Sequence, residues 1–254
     1  MAFEDRLNRV LPDARHAGRR LPPAGDQSLF KVVLGADDRK PAGDTRNYPA
    51  RVIAQLVTVT RDGAEFAATG CFVAPQTLLT AAHALYIHTD NPQRQGMVRE
   101  VTVIPGRMGL NGFPFGHYTV GPQNLYVPQQ WASASIAHDY ALVYVPPLPV
   151  DLGVMRTVAL NDEQLRGLEV FISGYPLDKP PGTQWYDTRR ITAVASTELF
   201  YDIDSEIGDS GAPIFAYREG VAYVVGVHRY GTNQRNFGTR ITGEVLADIG
   251  SRLV

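Results

Sequence analysis

The chain has 254 residues, of which 44% are hydrophobic and 20% charged, and its formal net charge is −2. This length and composition suffice for one large all-β domain or two coupled barrels with a substantial core. The near-neutral charge gives no reason to expect a nucleic-acid or membrane-surface partner. No apolar segment approaches the roughly 20 residues needed to span a bilayer.

The first 31 residues differ from the rest of the chain. Basic residues are mixed there with proline and glycine, and little apolar periodicity follows Leu11. We therefore expect a leader or linker over residues 1–31, outside the folded core.

Two features bear on the cellular compartment. The N-terminal residues are not followed by the apolar core of a secretory signal. Cys71 is the only cysteine, so no internal disulfide can form. Both features favour the cytoplasm, and the alternative is a secreted protein from which a signal has been removed.

Short apolar runs recur from Arg51 onward, separated by Gly, Pro, Asn and Asp. The runs are 52–59, 66–73, 98–104, 141–145, 168–172, 191–195, 212–217 and 221–227. Many short strands with frequent turns predict a β-barrel or sandwich architecture.

One helix is predicted, at the C-terminus, over about 243–253. Thr242 can cap its N-terminus, and Glu244 complements the positive end of the helix dipole. The apolar face of this helix consists of Val245, Leu246, Ile249 and Leu253.

The segment 208–213, Gly-Asp-Ser-Gly-Ala-Pro, sets Ser210 near glycines that can present a nucleophile beside bare N–H groups. A lone Ser-Gly pair is usually only a turn. A catalytic serine also needs a base and an orienting carboxylate. Both are found upstream: His83 ends a Thr-Ala-Ala-His segment after an apolar run, and Asp139 precedes another apolar run. The three residues together predict an acyl-transfer site.

The other histidines have no comparable partners. We expect His16, His88 and His117 to be exposed or locally hydrogen-bonded, and His138 to be a neighbour of the site without a role as a second base. Cys71 is expected to be a small core residue in a strand. The scattered histidines show no metal-ligand spacing, so no metal or other cofactor is expected.

The chain resembles the chymotrypsin-fold serine proteases and, among them, the bacterial glutamyl endopeptidases of the staphylococcal and bacillar type. The chain order His, Asp, Ser is that of chymotrypsin. The likeness covers about residues 32–245. It rests on the segments 32–39, 45–49, 80–83, 104–107, 172–176, 182–185, 208–213 and 238–242.

The resemblance implies two six-stranded antiparallel Greek-key barrels followed by a C-terminal α-helix. We expect a protease domain over 32–254, with the first barrel over about 45–150, the second over about 160–242 and the active site between them. By resemblance, His83 is the general base, Asp139 orients it, Ser210 attacks the scissile carbonyl, and the N–H groups of Gly208 and Ser210 form the oxyanion hole. The expected function is therefore a serine endopeptidase acting on polypeptides. The alternative from another class is a non-catalytic binding module on the same fold.

The resemblance also implies a primary specificity pocket. His228 and Ser205 match the residues that bind a substrate glutamate, and the strand that contains Tyr230 and Gly231 matches the pocket wall. Asp204 occupies the position where trypsin-like enzymes bind Arg or Lys, so cleavage after basic residues is the alternative. Arg229 departs from the family pattern, in which a small residue is common, and could pair with Asp139 or Asp204.

The resemblance finally suggests activation by cleavage. Val32 aligns with the processed N-terminus of the bacillar enzymes, so cleavage after Lys31 would create a new α-amino group that docks beside the pocket or pairs with Asp209. Because Lys31 is basic, a glutamyl protease would need a separate activating protease upstream. The alternative is that residues 1–31 are a tail without control over activity.

Overall fold

The structure is a computed structural model that describes residues 33, 36–232 and 235–254. The expectations for the leader 1–31, His16, Lys31 and Val32 lie outside the described residues.

Strands make up most of the regular structure in the described part of the chain. They are β1 (Lys40–Pro41), β2 (Ile53–Val59), β3 (Glu65–Ala74), β4 (Thr77–Thr80), β5 (Tyr86–Ile87), β6 (Gly96–Met97), β7 (Glu100–Pro105), β8 (Tyr118–Val120), β9 (Leu125–Tyr126), β10 (Ala141–Tyr144), β11 (Arg156–Thr157), β12 (Glu169–Gly174), β13 (Trp185–Val194), β14 (Glu198–Tyr201), β15 (Pro213–Arg218), β16 (Val221–Thr232) and β17 (Arg235–Arg240).

The helices are short. They are α1 (Gln129–Ala132), α2 (Asp162–Leu165) and α3 (Gly243–Gly250), with 3-10 turns at Ala50–Val52, Ala82–Ala84, Pro122–Asn124 and Ile136–His138. No helix among the residues that the structure describes is long and apolar enough to cross a membrane.

The second sheet closes into a six-stranded barrel. Its strands run in the order β13, β12, β15, β16, β17 and β14, and β14 pairs back onto β13. Strand β1 extends this sheet at β13, and β11 pairs with β16. The trypsin-like all-β fold with a terminal helix is therefore confirmed.

The first sheet differs from the expected closed six-stranded barrel. It has seven strands in the order β8, β7, β2, β3, β4, β10 and β9. Its end strands, β8 and β9, are three and two residues long, and no pairing joins them in the described part of the chain. The 3-10 turn Pro122–Asn124 lies between them, and the proline there has no N–H to donate to a ladder. The first barrel is therefore half-open.

A continuous core joins the two sheets. One cluster of buried apolar residues includes Phe72 and Leu79 from the first sheet, Phe215 and Val227 from the second, and Ile249 from α3. A second cluster fills the closed barrel. Because tightly packed interiors deform little, residues at the junction of the two sheets are held in a fixed relation.

The terminal helix is shorter than predicted. Thr242 caps it as expected, accepting a hydrogen bond from the N–H of Val245 at 3.2 Å, and Val245 and Ile249 are buried. The helix ends at Gly250 instead of about 253, and Leu253 is 41% exposed. Glycine at the last helical position has a low helix propensity, which accounts for the early end.

Candidate active site

Strand pairing brings His83 and Asp139 together. His83 lies on the 3-10 turn that follows β4, and Asp139 lies just before β10. These two strands pair antiparallel, with Thr80 opposite Ala141. The residue after one strand therefore lies beside the residue before the other.

Asp139 holds His83 at two points. Its Oδ1 accepts the backbone N–H of His83 at 2.9 Å, and its Oδ2 lies 2.8 Å from His83 Nδ1. The Thr239 hydroxyl donates to the Asp139 carbonyl at 3.0 Å. Burial opposes ionisation of the Asp139 carboxyl, but the charges and hydrogen bonds of His83 and the charge of Arg229 outweigh it, so the pKa of Asp139 is lowered.

Ser210 lies at the junction of the two sheets, on the loop between β14 and β15. The N–H of Thr69, on β3, donates to the Ser210 carbonyl at 2.8 Å. The next residue, Gly211, donates its N–H to the carbonyl of His228 on β16, also at 2.8 Å. The Ser210 hydroxyl donates to the carbonyl of Arg229 at 3.2 Å.

Gly208 has a conformation that suits glycine. Its φ is +105°, and a Cβ there would clash with the Tyr175 carbonyl oxygen. Its carbonyl accepts the Thr69 hydroxyl at 2.8 Å. Within the described residues, the N–H groups of Gly208 and Ser210 donate to no protein acceptor.

His228 is buried beside Tyr201. Its Nδ1 lies 2.7 Å from the Tyr201 hydroxyl, which also lies 3.0 Å from the Phe237 carbonyl. Burial, followed by the nearby charges of His83 and Arg229, lowers the pKa of His228 to about 3. The imidazole is therefore neutral at neutral pH.

Ser205 is held by a residue that sequence reasoning missed. The Ser205 hydroxyl donates to Asn236 Oδ1 at 3.1 Å, and the amide of Asn236 donates to the Ile203 carbonyl. Both Ser205 and Asn236 are buried. Asn236 lies on β17 opposite Tyr201, so the partners of Ser205 and His228 are neighbours in one strand pair.

Asp204 has a main-chain partner on the N-terminal segment. Its Oδ2 accepts the N–H of Asp38 at 3.1 Å, while its own N–H donates to Asp187 Oδ2 at 3.2 Å. Burial is the main cause that raises the pKa of Asp187. Asp204 thus links the segment before β1 to the second barrel.

Arg229 is buried beside Asp139, the residue that holds His83. Its side chain is 1% exposed, with Nε 3.5 Å from Asp139 Oδ2 and Nη1 2.9 Å from Glu198 Oε1. Of the two acids considered from the sequence, Asp139 is the one at ion-pair distance. The Arg229 guanidinium carbon lies 5.1 Å from the ring centre of Tyr230, and Gly231 is buried next along β16.

The structure therefore connects most of the predicted site through short contacts. Ser210 binds the Arg229 carbonyl, the Arg229 side chain contacts Asp139, and Asp139 holds His83. His228 belongs to the same cluster, because its carbonyl accepts the N–H of Gly211, next to Ser210, and it directly precedes Arg229 on β16. The hydrogen bond between Ser205 and Asn236 lies near the first residue of β17, beside this cluster.

Asp209, next to Ser210, is a buried carboxyl. Its Oδ2 accepts the N–H of Glu206 at 3.0 Å. Burial is the main cause that raises its pKa to about 7, against the opposing effects of the hydrogen bond from the Glu206 N–H and of the Arg39 charge. Within the described residues, no cation lies within ion-pair distance of Asp209.

The remaining candidates have local partners. His88 Nε2 lies 2.8 Å from the Trp131 carbonyl, His138 Nδ1 lies 3.0 Å from the Ser135 hydroxyl, and His117 packs edge-on against Phe113. Cys71 is a fully buried core residue, and burial raises the pKa of its thiol. No group of three or more His, Cys, Asp or Glu residues suited to a metal ion is found in the part of the chain that the structure describes.

A histidine held by a buried aspartate, together with a glycine-flanked serine between two β-sheets, is the arrangement of the trypsin-like serine peptidases. The trypsin-like peptidase domain family matches residues 68–227 of this chain.

Three comparisons refine this class. A glutamyl endopeptidase of Bacillus licheniformis is 30% identical, over 93% of this chain and 74% of that protein. A Bacillus subtilis protein named extracellular metalloprotease is 28% identical, over 85% of this chain and 68% of that protein. The solved structure of a Glu endopeptidase in complex with MPD superimposes with a TM-score of 0.72 at 25% identity, covering 87% of this chain and 98% of that one. The chain belongs to the V8-like branch of the chymotrypsin-fold serine proteases.

Proposed function

We propose that the protein is a serine endopeptidase in which Ser210 is the nucleophile, His83 the general base and Asp139 the group that orients His83. The observation that carries this proposal is the double hold of Asp139 on the Nδ1 and the backbone N–H of His83. When Nδ1–H is donated to a carboxylate, Nε2 is left as the proton acceptor that a serine nucleophile needs.

The resting position of Ser210 defines the first step. Its hydroxyl donates to the Arg229 carbonyl, so the side chain must turn before its proton can pass to His83 Nε2. Oγ then attacks the scissile carbonyl carbon, and the N–H groups of Gly208 and Ser210 bind the oxygen that becomes negative. The leaving amine takes the proton from His83, and water repeats the sequence to release the acyl group.

We further propose cleavage after glutamate, with His228 and Ser205 binding the substrate carboxylate. The Bacillus licheniformis relative is a glutamyl endopeptidase, which supports this preference. The Tyr201 hydroxyl donates to the Phe237 carbonyl, so His228 Nδ1–H donates to the Tyr201 oxygen. His228 would then bind a substrate carboxylate through Nε2, which takes a proton because the carboxylate charge favours the imidazolium. The carboxylate of Asp204 accepts a main-chain N–H from Asp38 and keeps lone pairs for a further partner, so cleavage after Arg or Lys is the alternative to be tested.

His228→Ala should lower kcat/KM for cleavage after glutamate at least about 100-fold, because a buried carboxylate would lose a hydrogen-bond donor. The fold should persist, since Tyr201 keeps the Phe237 carbonyl as a partner. Cleavage-site profiling on a peptide library, with rates on matched Glu and Gln peptides, measures the effect. His117→Ala, at a histidine outside the cluster, is the control.

The trypsin-like alternative predicts a different pattern. If the wild type cuts after Arg or Lys, and Asp204→Ser instead of His228→Ala destroys that preference, the glutamyl assignment is wrong. No cleavage by folded, processed protein would favour the non-catalytic binding module.

We also propose that residues 1–31 form a leader, that residues 32–254 form the protease domain, and that cleavage after Lys31 activates it. Asp209 supports this proposal, because it is a buried carboxyl that forms no ion pair with a cation among the described residues. The N–H of Asp38 donates to Asp204 Oδ2, and six residues of chain reach at most about 20 Å from Asp38. A new α-amino group at Val32, cationic at neutral pH with a pKa of about 8, would therefore find both the pocket and Asp209 within range.

Lys31→Ala should keep the protein at less than about 1% of full activity, because the oxyanion loop would lack its new ionic partner. Limited digestion with an Arg/Lys-specific protease, followed by N-terminal sequencing and activity assays, tests this. Arg20→Ala, which should activate normally, is the control. Full activity with residues 1–31 still attached would leave the tail without control over activity.

The comparisons give no support to a cytoplasmic location. The Bacillus subtilis relative is named extracellular, which favours the secreted alternative.

A further inference from the structure

Arg229 occupies a β-bulge beside the proposed catalytic residues. On strands β16 and β17, His228 lies opposite Gly238 and Tyr230 lies opposite Phe237, so Arg229 is one extra residue without a partner. A bulge redirects the side chain of the extra residue and leaves its backbone groups outside the ladder. Both effects are observed: the side chain turns toward Asp139, and the carbonyl accepts the Ser210 hydroxyl.

Two acids lie at ion-pair distance from Arg229 in the part of the chain that the structure describes. Glu198, whose side chain is 26% exposed, forms the shorter contact at 2.9 Å, and buried Asp139 lies 3.5 Å from Nε. Among the described residues, Nε makes no hydrogen bond. The contact with Asp139 is therefore mainly Coulombic, and in a site shielded from water such a contact is screened weakly.

A cation beside Asp139 changes what Asp139 can do for His83. The Asp139 charge stabilises the imidazolium that forms when His83 takes a proton, and a nearby positive charge offsets part of that effect. Glu198 in turn offsets part of the Arg229 charge. The two side chains thus act on His83 in opposite directions.

We propose that Arg229 is a positioning residue that holds Asp139 in place and weakens its attraction for the His83 imidazolium, so that His83 remains an unprotonated base at lower pH. This inference rests on the proposed serine-protease function. Among the described residues, the other titratable groups beside the cluster include His228 on β16, Tyr201 on β14, Asp209 next to Ser210 and Tyr230 next to Arg229. They also include His138, next to Asp139, which lies 3.9 Å from Glu244 of α3. These groups are the same in all the variants below.

The test is the pH dependence of phosphonylation of Ser210 by an uncharged reagent, because this reaction needs the His83 base but no glutamate side chain that titrates itself. In Arg229→Met the acid limb of the rate profile should move to higher pH by roughly half to one unit. In Glu198→Gln it should move to lower pH by a smaller amount. Arg229→Lys, which keeps the charge, should restore most of the wild-type profile.

A limb that stays unmoved in both Arg229→Met and Glu198→Gln, or that moves in the same direction in both, would overturn the proposal. If Arg229→Met fails to fold, Glu198→Gln decides alone, and its limb must move to lower pH. Wild-type protein that is not phosphonylated contradicts the proposed function itself, whereas labelled wild type with unmoved limbs contradicts only the role of Arg229.

Discussion

Replacing Ser210 by alanine is expected to remove peptide hydrolysis almost completely, by roughly 10⁶-fold in kcat as for the serine of subtilisin. The reason is chemical: without Oγ there is no acyl-enzyme, and binding and the oxyanion hole alone give little catalysis. The fold should be unchanged, because the hydroxyl makes only one hydrogen bond, to the Arg229 carbonyl, among the described residues. Steady-state hydrolysis and thermal unfolding measure the two effects separately.

The matched control for this substitution is Ser133→Ala. Ser133 is an exposed serine at the end of α1, so its loss should leave the rate within a factor of about two. A Ser210→Ala protein that retains more than a few per cent of wild-type activity would contradict the assignment of the nucleophile.

Asp139→Asn should lower kcat by about 10⁴-fold, as the same change does in trypsin. The backbone N–H of His83 donates to one oxygen of Asp139, so the amide oxygen of asparagine is expected to take that place. The amide NH₂ then faces His83 Nδ1, which must act as an acceptor, and the proton is forced onto Nε2. An imidazole in this tautomer cannot accept the serine proton.

Asp248→Asn is the control for Asp139→Asn. Asp248 is an aspartate outside the cluster that accepts the hydroxyls of Tyr126 and Tyr140. Its replacement should affect stability more than the rate per folded molecule. Near-normal hydrolysis by Asp139→Asn would mean that another carboxylate orients His83.

The proposed catalytic residues could be picked out from local sequence. His83, Asp139 and Ser210 each lie beside an apolar run that becomes a strand, β4, β10 and β15 respectively. Their segments therefore carried a signal, and resemblance to a family supplied the expected roles. The strand pairing then accounts for the contact between His83 and Asp139.

The partners of the pocket residues could not be predicted in this way. Asn236 and Glu198 lie on β17 and β14, and neither strand was among the predicted apolar runs. Strand β17, Arg-Asn-Phe-Gly-Thr-Arg, contains one large apolar residue, so it has no alternating pattern that marks it as a strand. Contacts that depend on such a strand follow from its register, which the tertiary structure sets.

The partner of Arg229 was also undetermined from sequence. Asp139 and Asp204 were both open as its partner, because the direction of the side chain depends on a one-residue bulge in β16. A regular strand would have sent successive side chains to alternating faces. The bulge has no sequence signature here, since Arg229 is not a glycine and lies within a continuous strand.

Covalent labelling of the processed protein with a phosphonylating serine reagent, followed by peptide mapping by mass spectrometry, tests the assignment of Ser210 as the nucleophile. We expect one label per molecule, on the peptide that contains Ser210, and no label in Ser210→Ala. A folded, processed protein that takes up no label, or takes it up at a different serine, would show that Ser210 is not an activated nucleophile.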